Sequence, residues 1–318
     1  MVVSPIYNVG VKTIVETIFA DITNALPAVG ERSFELLAAD PVLAEQLEQV
    51  RLFGSQTLLE CPPAELDALR KVGYFPFAEA SAEIDYAIMM SLVGAYKLGY
   101  HALRSFLELT IVGIYYVSDA STEDDATGWL SGELVTPFMS VVRRKLLKLP
   151  AFAAAEANVK FDELLNDVYS RISDRTHTRG TPHAHAALSK SNRPRFVEAT
   201  MRKFVADARE VCQVAAVALA IQRPILLISL PLWERFGLNP PMSGYLEAME
   251  SENLRSFIEP KRLLWLEEYA SADENVRLVI DWIESRPDLT PEEIELQKRA
   301  HDEWLQSMAS GTSEGETG

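Results

Sequence analysis

Apolar residues recur three and four positions apart along most of the chain, and no series of alternating apolar and polar positions marks a run of β-strands. The spacing predicts helical spans over Val11–Pro27, Pro41–Leu59, Pro63–Val72, Ala78–Val117, Thr136–Leu149, Phe161–Arg175 and Arg195–Leu230, with shorter helices beyond. Ala78–Val117 is long enough for two helices or one bent one, and Gly94, Gly99 and Gly113 would let it approach its neighbours closely. Gly128 to Gly132 reads as a turn that carries Trp129 as an anchor, preceded by an acidic loop from Asp119 to Asp125. Thr290 with Glu293 three residues on, and Pro291 between them, forms a capping box for the last helix. The expected fold is an all-α multi-helix bundle. Its expected parts are an N-terminal helical segment (1–76), a helical core (77–232), a C-terminal helical segment (233–307) and a disordered Gly/Ser/Glu tail (308–318).

Composition narrows the class. The 318 residues are 48% hydrophobic, enough to bury one large core or two smaller ones. Cys61 and Cys212 are far apart in sequence, which argues against a disulfide framework or a thiolate zinc site and favours a cytoplasmic protein. The N-terminus has no basic start before an apolar run and is not a secretory signal. Val211–Trp233 is the most apolar stretch, but Gln213, Gln222, Arg223, Pro224 and Pro231 interrupt it, so the reading is a buried helix kinked at Pro224 and no membrane partner.

The net charge of −16 is unevenly placed, since residues 141–209 hold 14 Lys and Arg against 7 Asp and Glu. A basic block inside an acidic protein suits either a phosphate-binding face or docking against acidic segments of the same chain or a second copy. As an RNA-binding surface it would offer Arg143, Arg144, Lys145, Arg175 and Arg179.

Candidate chemistry concentrates in the same block. In FDELLNDVYSRISDRTHTRG (161–180) the apolar residues Phe161, Leu164, Leu165, Val168 and Ile172 mark one helix face, and Arg, Asp and His crowd the C-terminal end. Arg171 and His177 are a candidate pair for metal-independent cleavage of RNA. The imidazole would move protons, the guanidinium would stabilise charge on the phosphate, and Asp174 would orient the imidazole. Six residues of α-helix set Arg171 and His177 about 120° apart, so they converge only if the helix ends before His177 or a second subunit completes the site. Arg104 and Glu108, four apart in an apolar segment, predict a partly buried ion pair. An alternative uses His177, His183 and His185 with Asp174 as metal ligands. No GxGxxG, Walker-type, GxSxG or HExxH motif is present, and no cofactor is expected.

The succession of LRSFLELTIVGIYY, a Gly-Trp loop and a helix ending VYSRISDRTHTRG resembles bacterial helical proteins of the HEPN superfamily over roughly residues 80 to 232. The resemblance implies a helical bundle, often dimeric, in which an Arg-x(4–6)-His motif cleaves RNA without metal, and roles in phage defence or toxin–antitoxin systems. Other proteins of this shape are structural or binding proteins. Arg171-x5-His177 has the motif's spacing. It also implies that Arg104, Glu108, Tyr169 and His177 lie near one another. The functional expectation is a helical interaction or regulatory protein with a protein partner or a second copy. The alternatives are an endoribonuclease that binds RNA and a His-rich metal binder.

Overall fold

The computed structural model describes residues 25–62, 74–177, 179–184, 187–188, 190, 193–239 and 244–311, and every regular element among them is helical. In chain order the α-helices are α1 (Ala25–Ala39), α2 (Pro41–Leu52), α3 (Phe75–Leu92), α4 (Tyr96–Val117), α5 (Glu123–Leu130), α6 (Met139–Leu146) and α7 (Pro150–Val159). They continue with α8 (Phe161–Thr176), α9 (Glu198–Gln222), α10 (Leu232–Phe236), α11 (Ala248–Ser256), α12 (Pro260–Ala272), α13 (Glu274–Glu284) and α14 (Pro291–Gly311). The all-α multi-helix class expected from the periodicity is the class observed.

The ends of these helices follow local chemistry. Asp40 Oδ1 accepts from the Leu43 amide at 3.1 Å, and Pro41 occupies the first turn of α2. Thr290 and Glu293 form the expected capping box, with the Thr290 amide donating to Glu293 Oε2 at 2.8 Å and the Glu293 amide donating to Thr290 Oγ1 at 3.3 Å. The long apolar segment is two helices, broken at Gly94, whose φ of 74° suits glycine and where a Cβ would strike the backbone of Arg195.

Helix α4 is the organising element. It packs against α3 along its length and against α8 and α9 on its other sides. Its residues Tyr96, Tyr100, Leu103, Phe106, Leu107, Ile111 and Ile114 recur at three- and four-residue intervals and are all buried. The second half of α9, Val211 to Ile221, is buried almost all round. One continuous buried cluster runs from Leu43 to Leu266 and so takes in side chains from all three expected segments. A smaller cluster around Ile225, Leu230, Val276 and Ile283 seats α13.

Several local expectations are corrected. The sequence reading stops a helix at Pro27, whereas α1 carries past that proline to Ala39 and is anchored by Ser33, whose hydroxyl donates to the Leu92 carbonyl at 2.7 Å. The kink expected at Pro224 is a helix end. Arg223 precedes a proline, leaves the helical region (φ −142°, ψ 79°), and a 3₁₀ turn follows at Pro224–Leu227. Trp129 sits in the last turn of α5, not in a loop, because Thr122 Oγ1 caps the Asp125 amide and the acidic residues 123–125 occupy a helix N-terminus, where the dipole favours them. Helix α7 was not expected; the single left-handed residue Lys160 turns the chain from it into α8. The expected tail begins inside α14, which continues to Gly311, and the rest of it, like Pro63–Val72, lies outside the described residues.

Helix α2 continues into a π-helical turn at Phe53–Thr57 and a last helical turn at Leu58–Glu60. Widening the helix there brings Gly54 against Ile84 of α3 so closely that a Cβ at Gly54 would overlap Ile84 Cγ2. Gly54→Ala is expected to destabilise the protein by about 1–3 kcal/mol through overpacking. In urea denaturation the double variant Gly54→Ala/Ile84→Ala should lose clearly less than the two single losses added together.

Candidate functional site

Four of the polar groups singled out in the sequence, Arg104, Glu108, Tyr169 and His177, meet where α4 and α8 pack together. Arg104 and Glu108 lie one turn apart on α4, and Tyr169 and Thr176 lie two turns apart on the face of α8 that turns towards it. Helix α8 ends at Thr176, so His177 sits at the C-cap (φ −85°, ψ 4°), its amide still donating to the Ser173 carbonyl at 2.9 Å.

Arg104 binds all of these neighbours. Its Nε donates to Glu108 Oε1 at 3.0 Å, Nη2 donates to Tyr169 Oη at 3.0 Å, and Nη1 reaches Thr176 Oγ1 at 3.4 Å and His177 Nε2. Tyr169 Oη in turn donates to Glu108 Oε1 at 2.6 Å, and the guanidinium lies 5.4 Å from the centre of the Tyr169 ring. A guanidinium only donates, so a hydrogen bond between these groups requires His177 Nε2 to accept and the ring proton to sit on Nδ1. Burial and the bond to Glu108 hold the Tyr169 phenol above its ordinary pKa, so it stays a donor. His101 lies one turn before Arg104. Partial desolvation first, then the charges of Lys97 and Arg104, lower the pKa of this exposed histidine.

A second cluster lies deeper. Asp207 of α9 is 1% exposed and accepts from Tyr100 Oη at 2.7 Å, from Arg175 Nη2 at 3.3 Å and from Lys203 Nζ. The Arg175 guanidinium also lies 4.7 Å from the centre of the Tyr100 ring. Burial, then the neighbouring carboxylate, raises the Tyr100 pKa, which keeps the phenol protonated and donating. A carboxylate this deep is tolerated only because three donors surround it.

The expected pair Arg171 and His177 is not brought together. Arg171 turns to α9 and pairs with Glu210, with Asp167 at 3.4 Å on its own helix, while His177 turns to α4. The helix does end before His177, but the two side chains face different helices, Arg171 towards α9 and His177 towards α4. Asp174, expected to orient His177, pairs with Arg179 at 3.0 Å. Of the five expected RNA-binding residues, Arg175 is 14% exposed and turned inward to Asp207. Arg143 pairs with Asp162 at 2.9 Å and donates to Asn166 at 2.7 Å. Lys145 donates to Tyr115 Oη and has Asp125 at 3.8 Å. Arg144 stays exposed, bonded to the Ser140 carbonyl at 3.1 Å. The alternative metal set cannot be assembled from the described residues. The His183 side chain and all of His185 lie outside them, and no group of three His, Cys, Asp or Glu within them could hold an ion.

Sequence reasoning missed Asp207 and Thr176. Asp207 was detectable, because it falls on the apolar stripe Phe204, Ala208 and Val211, where a charge at a core position signals a buried partner. Thr176 follows Ile172 by four on the buried face of α8 in the same way.

Compared with known proteins, the chain matches no protein-family model, no curated protein and no solved structure. No helix among the described residues is long and apolar enough to cross a membrane.

Removing the guanidinium at Arg104 would leave Glu108 without its cation and three acceptors without their donor. Arg104→Met should cost about 2–3 kcal/mol in urea denaturation. Arg104→Lys should recover less than half of that loss, because an ammonium cannot reproduce the planar fork that reaches both helices.

Proposed function

We propose that the chain is a helical interaction or regulatory module of HEPN-like organisation whose Arg/His cluster is a clamp between helices. The observation that carries this reading is the closure of the cluster. The donors of Arg104 are directed at Glu108, Tyr169, Thr176 and His177, and one of them is received by the imidazole nitrogen a general base would need. With Nε2 accepting and Nδ1 protonated, the neutral ring has no lone pair left to take a proton from a 2′-hydroxyl. Arg171, the other half of the nuclease motif, is held by Glu210 and Asp167.

The surface supports the same reading. Half of the 14 cations of the basic block, Arg143, Lys145, Arg171, Arg175, Arg179, Arg202 and Lys203, pair with carboxylates of the chain itself, which reduces the charge open to a phosphate backbone. Large apolar side chains stand in solvent instead, with Val135 at 87% exposure and Phe138 at 80% in the segment between α5 and α6.

Incubating the purified protein with mixed cellular RNA in chelator tests the reading against the nuclease alternative. Wild type, Arg171→Ala and His177→Ala should all leave the RNA intact. Cleavage by wild type that disappears in both variants would overturn the proposal and establish a metal-independent ribonuclease.

A further inference from the structure

Two cavities adjoin where the ends of α4 and α9 meet the start of α13. One is 450 Å³ and the other 560 Å³, and both have Gln222, Arg223 and Asn275 in their walls. They lie on the seam between the two apolar clusters of the fold. Phe77, Ile114 and Leu219 of the larger cluster line the first, and Ile225 and Val276 of the smaller cluster line the second. Both volumes fall in the range of small-molecule sites, roughly 300–1,000 Å³.

The first cavity carries opposite charges at two places. At one, α4 ends at Val117 and Asp119 follows, so a carboxylate adds to the negative end of a 22-residue helix. At the other, Arg223 follows the last residue of α9, and the neighbouring loop fixes its guanidinium. Nε donates to the Gly244 carbonyl at 2.9 Å, and the guanidinium lies 5.6 Å from the centre of the Tyr245 ring. Gly244, at φ 91°, leaves the space for it, since a Cβ there would strike the guanidinium. Asn275, in the first turn of α13, and Gln222 line both cavities together with Arg223 and so stand at their boundary, whereas Asp119 lines the first alone. Among the described residues the Asp119 carboxylate and the side-chain amides of Gln222 and Asn275 make no hydrogen bond or ion pair, and Asp119 does not pair with Arg223 across the cavity.

We propose that the first cavity binds a free α-amino acid with an apolar side chain. The ligand's ammonium meets Asp119, its carboxylate accepts from the side-chain amides of Gln222 and Asn275 in the field of Arg223, and its side chain lies against Phe77, Ile114 and Leu219. The paired charges select a zwitterion. A simple amine would bring a second cation into a cavity that already holds a guanidinium, and a simple carboxylate would face Asp119 at like charge. A purely apolar molecule would strip water from the carboxylate and both amides and give nothing back. This site is separate from the Arg104 cluster and from the exposed apolar surface, so it stands whether or not the chain docks another protein.

Isothermal titration calorimetry of the full chain with L-leucine and with L-phenylalanine tests the site. At least one of them should bind with a Kd below about 1 mM. The matching amine and acid keep the side chain and lose one charge each: isopentylamine and 4-methylpentanoate for leucine, phenethylamine and 3-phenylpropanoate for phenylalanine. Each should bind about tenfold or more weaker than its amino acid. Asp119→Asn should weaken the amino acid by about tenfold or more, and Asn275→Asp should do the same by setting a carboxylate against the ligand's carboxylate. Both side chains are exposed, and the first turn of a helix favours an aspartate, so both variants should keep the circular dichroism and melting of wild type. No saturable heat with either amino acid overturns the proposal. So does an amine or acid that binds as tightly as its amino acid, which would reduce the site to a single charge. Wild-type affinity in Asp119→Asn also overturns it, because the amino acid would then be held elsewhere.

Discussion

Charged side chains placed between packed helices have to be met by opposite charge and by enough hydrogen bonds to replace water, and the interior between α4, α8 and α9 is organised around that requirement. Arg104 meets it by reaching one neighbour on its own helix and three on α8. Asp207 meets it by drawing in Tyr100 from α4, Arg175 from α8 and Lys203 from its own turn. The contacts of each cluster form only when the helices stand in one register, because a shift of one residue would carry Tyr169 or Arg175 out of reach. Apolar packing alone would tolerate more than one such register.

The same closure decides what the cluster can do. A guanidinium that is to receive a phosphate needs donors facing outward, and an imidazole that is to act as a base needs a lone pair. Arg104 and Arg175 face inward, and His177 offers its Nε2 lone pair to Arg104. Arg144 and Arg179 stand outward, and so do large apolar residues between α5 and α6 and along α14. Polar contacts inside hold the helices in register, and large apolar side chains stand exposed outside.

Much of this was legible in the sequence. The Arg104–Glu108 pair follows from a four-residue spacing within an apolar run, the span of α8 follows from its apolar spacing, and the start of α14 follows from a capping box. Other features depend on what lies opposite. Nothing near Arg171 in sequence says that Glu210 faces it, and Asp174 has two local candidates, His177 and Arg179, between which only the fold chooses. The surplus of positive charge in residues 141–209 suggested a phosphate surface, but much of it is cancelled by carboxylates such as Asp40 and Glu210 that lie outside the block. The π-helical turn was hidden for a similar reason: Gly54 reads as a weak helix residue until Ile84 is seen against it. Where spacing alone sets a contact the sequence is informative, and where a contact needs two distant segments it is not.

The tautomer of His177 tests the central claim most directly. Long-range proton–nitrogen spectra of ¹⁵N-labelled protein at mildly alkaline pH, with His177→Ala to assign the ring, report which nitrogen carries the proton. A closed clamp predicts a proton on Nδ1 and a bare Nε2 that accepts from Arg104. A proton on Nε2 would contradict it, because Arg104 could then donate nothing to that ring and the imidazole would be free for other chemistry.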